Sequence, residues 1–241
     1  MADEIFGHPR LAAIYDALDP DRTDLDTYLG LARQVAAERV LDIGCGTGVF
    51  ALLLAGLGVE VVGIDPARAS VDVARAKPGS ERVQWICGDA TALPPLQVDL
   101  VTMTANVAQA IVAPDAWQQT LAGAREALRP GGYLVFETRD PAARAWESWN
   151  RAASRSTTDI PGVGTVESWV DLVEVAPPLV TVRWNHVFAV DGHHLTSDST
   201  LRFRERHEVE ADLTALGFGL REVRDAPDRP GKEFVFVARR L

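Results

Sequence analysis

Val40-Leu41-Asp42-Ile43-Gly44-Cys45-Gly46-Thr47-Gly48 is an apolar strand running into a loop with glycine at every second position. Glycine lacks a Cβ and adopts backbone angles that other residues avoid, so such a run lets main chain lie close to a ligand. The apolar stretch Val49 to Leu57 follows and reads as the packed start of a helix. Its first amide N–H groups face the loop and attract negative charge, such as a ligand carboxylate. Strand, glycine loop and helix make up the first half of a nucleotide-type α/β site.

A dinucleotide fingerprint, Gly-x-Gly-x-x-Gly, is the nearest rival, but its third glycine would fall where this chain has Val49. The strand also carries an acid, Asp42, just before the first glycine. A carboxylate there suits a ligand with a free ammonium group and sits badly beside a pyrophosphate. Val59-Glu60-Val61-Val62-Gly63-Ile64-Asp65 reads as a second strand ending in an acid, with Pro66 next. Asp65 lies about 20 residues beyond the first glycine, where a carboxylate accepts both ribose hydroxyls. A third strand, Arg82 to Cys87, leads into Gly88-Asp89-Ala90, and Asp89 is placed to accept from an exocyclic amine such as that of adenine.

Strand and helix alternate from residue 39 to 138, which predicts a mostly parallel sheet with helices on both faces. Asp115 is the expected N-cap of the helix carrying Trp117 to Leu128, and Pro130-Gly131-Gly132 ends it. Residues 10 to 38 predict two amphipathic helices separated by Asp19-Pro20-Asp21, and residues 140 to 155 predict another helix. Three strands then follow: Thr165 to Val175, Leu179 to Val190 and His194 to Arg204. Pro177-Pro178 and the tight-turn pair Asp191-Gly192 join them. In the middle strand Val180, Val182, Trp184, His186, Phe188 and Val190 share one face, opposite Arg183 and Asn185. This alternation is that of a sheet with one buried and one wetter face. Helix Arg206 to Leu216 and strands Leu220 to Asp225 and Glu233 to Arg239 close the chain.

Four ordered motifs resemble those of the class I S-adenosylmethionine-dependent methyltransferases. They are Leu41 to Gly48, the acid Asp65, Gly88-Asp89-Ala90, and Leu128-Arg129-Pro130-Gly131-Gly132 before a strand. The resemblance implies a Rossmann-like, seven-stranded, mostly parallel α/β sheet closed by an antiparallel C-terminal hairpin. With it goes an antiparallel β insertion. The expected organisation is a helical lid at 1–38, a cofactor-binding core at 39–155, the insertion over the acceptor site at 156–204, and completion of the core at 205–241. S-Adenosyl-L-methionine is the implied cofactor. Its implied contacts are Tyr15, Asp42, Gly44, Cys45, Gly46, Asp65, Pro66, Gly88, Asp89, Ala90, Thr104, Asn106 and Gln109. Relatives that act on base amino groups carry Asn/Asp-Pro-Pro-aromatic after the fourth strand; here Thr104-Ala105-Asn106-Val107 stands in its place.

Composition narrows the acceptor. The chain has 241 residues, is 47% hydrophobic and carries a net charge of −10. An acidic balance argues against a nucleic acid backbone as partner, which needs a basic surface. Arg202, Arg204 and Arg206 alternate, but among Glu205 and Glu208, and read as a solvated strand edge or else a phosphate track. The N-terminus lacks the basic and apolar blocks of a signal peptide, and the longest apolar run is too short for a bilayer. These features predict a soluble, cytoplasmic monomer or homodimer acting on a small molecule, with no membrane partner. Two cysteines give no disulfide framework, and no Cys/His/Asp cluster has metal-ligand spacing.

A sulfonium methyl is already activated, so orientation does most of the work and a general base matters only for an acceptor that must lose a proton. His186, alone on an apolar face of the insertion, is the base candidate, with a hydrogen-bonded core histidine as the alternative. Tyr15 resembles a lid aromatic over the cofactor and is the second catalytic candidate beside His186; helix packing explains it equally. Asn106 and Gln109 follow the fourth strand, where such a sheet opens onto its ligand, and helix capping is the other reading of Asn106. Arg139 ends the fifth strand and either holds an acidic substrate group or pairs with Asp140 or Glu137. Trp184, with Trp146, Trp149 and Trp169, lines an acceptor pocket or fills core. His193 and His194 are expected to be exposed. The competing functions are a cofactor-binding regulator without transfer activity and a nicotinamide oxidoreductase.

Overall fold

The computed structural model describes residues 2–241; Met1, counted above with the N-terminal segment, lies outside them. The strands are β1 (Arg39–Ile43), β2 (Glu60–Asp65), β3 (Val83–Cys87), β4 (Val98–Met103) and β5 (Leu128–Arg139). Then come β6 (Ser156–Ile160), β7 (Gly164–Ala176), β8 (Leu179–Phe188) and β9 (His194–Arg202), followed by β10 (Phe218–Asp225) and β11 (Glu233–Arg240). The first five and the last two form one sheet in the order β10-β11-β5-β4-β1-β2-β3. Its β1, β2, β3, β4 and β5 pairs are parallel, whereas β11 runs antiparallel to both β5 and β10.

Five short or medium helices precede β2: α1 (Glu4–Gly7), α2 (Pro9–Ala12), α3 (Tyr15–Leu18), α4 (Asp26–Gln34) and α5 (Val49–Gly56). The rest are α6 (Arg68–Ala76), α7 (Val107–Ala110), α8 (Pro114–Ala127), α9 (Arg151–Ser154) and α10 (Arg206–Ala215). Each central strand is apolar on both sides because helices cover both faces. Leu41, Ile43, Val101, Met103, Leu134 and Phe136 pack against Trp117 and Leu121 of α8 and Leu213 of α10. The alternate residues Val40, Leu100 and Val135 pack against Tyr28 and Leu31 of α4 and Phe50 and Leu54 of α5. The sheet therefore has two apolar layers, and its strand ends alone are left for polar residues.

The second sheet is antiparallel, in the order β6-β7-β8-β9, and is inserted between β5 and α10. It has four strands where the sequence predicts three: β6 adds to the edge of β7, with Thr158 opposite Val166. The β8–β9 connection is a loop over residues 189–192, closed by Phe188 N–H to the His193 carbonyl (2.9 Å), so Val190 leaves the strand and is exposed. Asn185 is buried on the face assigned to solvent, where it bonds Asp171 (3.0 Å) and His194 (3.0 Å). The remaining differences are local. Residues 10–38 form two single-turn helices and a 3₁₀ turn before α4, with Pro20 in the break that follows α3. Residues 140–155 form 3₁₀ turns and the single turn α9. Helix α8 starts at Pro114 with Ala113 as N-cap, so Asp115 lies in its first turn instead.

Candidate functional site

The C-terminal ends of β1, β2, β4 and β5 open on one side of the sheet, where ligands bind in folds of this type. Asp42 lies there, 1% exposed, and its Oδ1 accepts the Thr102 hydroxyl at 2.9 Å from the neighbouring strand. Burial pushes its carboxyl up to about 7, with the Asp65 charge adding to the rise and the Arg22 charge opposing it. The loop beyond holds Gly44, Gly46 and Gly48 at φ of +73°, +53° and +82°. A Cβ on Gly44 would sit inside the Val107 side chain, and one on Gly48 would lie 2.5 Å from the Trp85 ring. The amides of Gly44 and Cys45 both donate to the Ile64 carbonyl (2.8 and 3.1 Å), and that of Gly46 donates to Asp65 Oδ2 (2.9 Å). These N–H groups are committed to β2, and of the three glycines Gly46 alone has open space where a Cβ would be. The Cys45 thiol packs inward against Gly63, and burial raises its pKa far above the usual thiol range.

Asp65 is 8% exposed, and burial raises its pKa; its Oδ1 accepts from Ala67 N–H at 2.7 Å. Pro66 between them is exposed. Gly88 N–H donates to the Asp65 carbonyl (3.0 Å), which ties the end of β3 to the same acid. Asp89 is exposed, and both Thr91 N–H (2.9 Å) and the Thr91 hydroxyl (2.5 Å) donate to its Oδ1, holding its pKa below the ordinary value and leaving Oδ2 outward. Ala90 beside it is buried.

At the end of β4, Thr104 is buried, and Ala105 and Asn106 both have positive φ, 56° and 61°. Asn106 does not cap α7 with its side chain. Its backbone N–H donates to Glu137 Oε1 (2.9 Å) and its Nδ2 to Glu233 Oε1 (3.2 Å). Arg139 pairs with Glu233 (3.4 Å) and not with Asp140 or Glu137; it also donates to Gln109 Oε1 (3.0 Å) and lies over the Trp149 ring. Burial, with the Glu233 charge beside it, pushes the Glu137 carboxyl up to about 8. Gln109 is fully buried, and its Nε2 donates to the Arg202 carbonyl (3.4 Å). Arg204, 3% exposed, donates to the carbonyls of Ala108 (2.8 Å) and Ile111 (2.6 Å), so it is neither a solvated edge nor a phosphate track.

The N-terminal turns cross the opening. Asp16 accepts from the Thr47 hydroxyl (2.6 Å) inside the glycine loop and pairs with Lys77 (2.5 Å), which also donates to the Thr47 carbonyl (2.6 Å). Tyr15 stacks at a tilt on Phe6, with ring centroids 5.6 Å apart, and burial raises its pKa against the opposing Arg22 charge. Leu11 and Ile14 pack on Ile160, Val166 and Phe188 of the insertion, and Ile5 N–H donates to the Ser197 hydroxyl (2.8 Å). His186 is 2% exposed; its Nδ1 lies 2.9 Å from the Ser168 hydroxyl and its Nε2 has no partner. Burial lowers its pKa to about 4, which makes it a weak base. Trp184 is half-buried beside it on the same face, Trp146 packs on Phe203, and Trp169 lies on the opposite face against the exposed His194. Sequence reasoning missed Arg22, Glu137 and Glu233. Glu137 was named only as a possible partner of Arg139, and Arg22 and Glu233 carry no motif.

Residues 40–132 match the family described as a methyltransferase domain. Over that stretch the chain is similar to S-adenosylmethionine-dependent methyltransferases. It is 33% identical over 141 residues to the biotin biosynthesis bifunctional protein BioHC of Cellvibrio japonicus (strain Ueda107), covering 51% of this chain and 27% of that protein. It is 32% identical over 142 residues to the cypemycin N-terminal methyltransferase of a Streptomyces species, covering 54% and 58%. The chain thus spans little more than half, or less, of the curated relatives it matches. Its fold matches the CcbJ methyltransferase from Streptomyces caelestis over 100% of both chains, with a TM-score of 0.80 at 23% identity.

The residues fit the family's cofactor. A buried carboxyl stands ready for an ammonium group at Asp42, main chain without a Cβ borders open space at Gly46, and Asp65 keeps its carboxyl at the end of β2.

Proposed function

We propose that this protein transfers a methyl group from S-adenosylmethionine to a small-molecule acceptor. The carrying observation is the buried pair Asp42 and Asp65 flanking a loop whose three glycines all hold positive φ. In this reading Asp42 takes the ammonium of the methionine part, and its proton leaves as the cation arrives. Arg22, whose charge is felt by both Asp42 and Tyr15, is the group for the carboxylate. Asp65 accepts the ribose hydroxyls with the lone pairs its two backbone bonds leave. Gly88, Asp89 and Ala90 edge the adenine, and Thr104 with the backbone of Asn106 lies along the methionine part.

When bound, the cofactor supplies an activated methyl on a sulfonium. The chain's own residues bind, orient and exclude water, and orientation of this kind is worth up to about 7–11 kcal/mol. The N-terminal segment serves as lid through Asp16, Thr47 and Lys77, and the insertion is the roof of the acceptor pocket, with Trp184, Asn106 and Arg139 at its rim. His186 and Tyr15 are held neutral by burial and act as hydrogen-bonding groups; a pKa of about 4 fits His186 poorly for a general base at neutral pH. The net charge of −10 supports a small molecule over a nucleic acid as acceptor.

Calorimetry with S-adenosylhomocysteine and with 5′-methylthioadenosine, which lacks the amino-acid part, tests the reading. Asp42→Asn is expected to weaken the first at least tenfold and to leave the second unchanged. Equal affinities for wild type and variant with both ligands would refute it.

A further inference from the structure

Asn106 is held in an unusual way. It is the second of two consecutive non-glycine residues in the left-handed region, a conformation that persists only where the surroundings impose it. Its backbone N–H is fixed on Glu137, and both reachable acceptors of its side-chain NH₂ are glutamates: Glu233 at 3.2 Å and Glu137 at 3.5 Å. The glutamates are in turn fixed, since Glu233 Oε1 also receives Arg229 (2.7 Å) and Arg139 (3.4 Å). With the NH₂ bound to two carboxyl groups, the amide has one orientation, and Oδ1 points away from them. Asn106 is 5% exposed, yet Oδ1 has no hydrogen-bond partner. A buried acceptor left unpaired is costly, so a position that builds strain and two buried acids around one is arranged to receive a donor.

We propose that Asn106 Oδ1 accepts a hydrogen bond from the reacting nitrogen of the methyl acceptor, that the acceptor is a primary or secondary amine, and that Glu137 and Glu233 are positioning residues for that contact. This rests on the methyl-transfer reading above and adds the acceptor class. A neutral amine keeps an N–H to donate while its lone pair faces the methyl carbon. As the nitrogen–carbon bond forms, the carbon–sulfur pair passes to sulfur, which becomes a neutral thioether, and the nitrogen becomes an ammonium. That ammonium then gives its extra proton to solvent. The N–H donor strengthens as positive charge develops, so the Oδ1 contact is tighter in the transition state than in the ground state. A phenolate, thiolate or carbanion has no hydrogen to offer and would meet the carbonyl dipole negative end first. An amide oxygen is too weak a base to deprotonate a hydroxyl.

Sinefungin, a cofactor analogue with an amine in the place of the transferable methyl, probes the contact without knowledge of the acceptor. Wild type is expected to bind sinefungin at least tenfold more tightly than S-adenosylhomocysteine. Asn106→Gly, which suits the positive φ and removes the side chain, is expected to bring that ratio near one. Glu137→Leu should lower the ratio too, and Glu137→Gln, which keeps an acceptor oxygen, should restore it. An unchanged ratio in Asn106→Gly overturns the proposal. Failure of wild type to bind S-adenosylhomocysteine would instead overturn the underlying reading. On one aryl scaffold carrying amine, hydroxyl or thiol, tritiated methyl should enter the amine; label in the hydroxyl or thiol alone also overturns the proposal.

Discussion

Glu137→Gln separates the electrostatics of the buried acid pair from its geometry. The side chain is 5% exposed, and its carboxyl is raised from 4.5 to about 8 by burial and by Glu233. Unfolded, it ionises near its ordinary value; folded, it keeps its proton up to about pH 8. The folded chain therefore holds one more proton than the unfolded chain between those values, and stability falls as pH rises through that window. The contribution is fully present below the unfolded pKa and lost as pH passes the folded one. At about 1.4 kcal/mol per unit of displaced titration, this single group removes about 2–3 kcal/mol of wild-type stability between pH 5 and pH 7. Glutamine keeps an oxygen for the Asn106 N–H but cannot ionise. The variant's stability relative to wild type should thus rise by about that amount over the same interval and level off above the folded pKa. Denaturant titrations of both proteins at pH 5, 6, 7 and 8 measure it, since titrations common to the two cancel. A difference that stays constant from pH 5 to pH 7 would refute the reasoning.

Three further outcomes follow from the site. With Asp42 pushed up to about 7, binding of S-adenosylhomocysteine at pH 7 should release about half a proton as the ligand ammonium draws the carboxyl into its charged form. Calorimetry in buffers of different ionisation enthalpy detects that release, and Asp42→Asn should abolish it. Lys77→Ala removes a partly exposed latch worth about 1 kcal/mol, so the same ligand should dissociate roughly fivefold faster, by stopped flow. Gly48→Ala combines a φ of +82° with a Cβ 2.5 Å from Trp85 and 2.9 Å from Ala74, and should lower folding stability by more than about 2 kcal/mol in denaturant titration.

The parallel core was legible because its signals are local. Apolar runs, glycines and terminal acids report strand ends directly, and Asp42, Asp65 and Asp89 lie where that grammar puts them. The segments that went astray are those whose form is set by distant partners. Residues 140–155 look helical by composition, but Trp146 and Trp149 turn onto Phe203, and the chain follows them in 3₁₀ turns. Strand β6 has ordinary polar residues, Ser156, Thr157, Thr158 and Asp159, and becomes a strand only because the edge of β7 is available to it. Glu233 carries no motif; its burial comes from the pairing of β11 with β5, which brings it opposite Arg139. Asn185 reads as a solvent-facing residue by alternation, yet Asp171 and His194 from both neighbouring strands close over it.

Helix α7 shows how the two sheets are tied together. Four residues cannot hold a helix by themselves, because one turn costs more chain entropy than its few bonds return. Its C-terminal carbonyls are instead bound by Arg204, from just beyond the last strand of the insertion, with the guanidinium 4.3 Å from the Trp117 ring centroid. A cation at that end also matches the helix dipole. Gln109 on the same turn takes Arg139 on one side of its amide and the Arg202 carbonyl on the other. The stretch that begins with Asn106 is therefore shaped by residues from the end of the insertion as much as by β4. Burial of an arginine is tolerated here because its bonds go to backbone carbonyls that would otherwise lack donors. The insertion is thus no appendage that opens independently of the core: removing its last residues would release α7, and with it the orientation of Asn106. The hold of the N-terminal turns on the glycine loop, by contrast, is polar, partly exposed and concentrated in Asp16, Thr47 and Lys77.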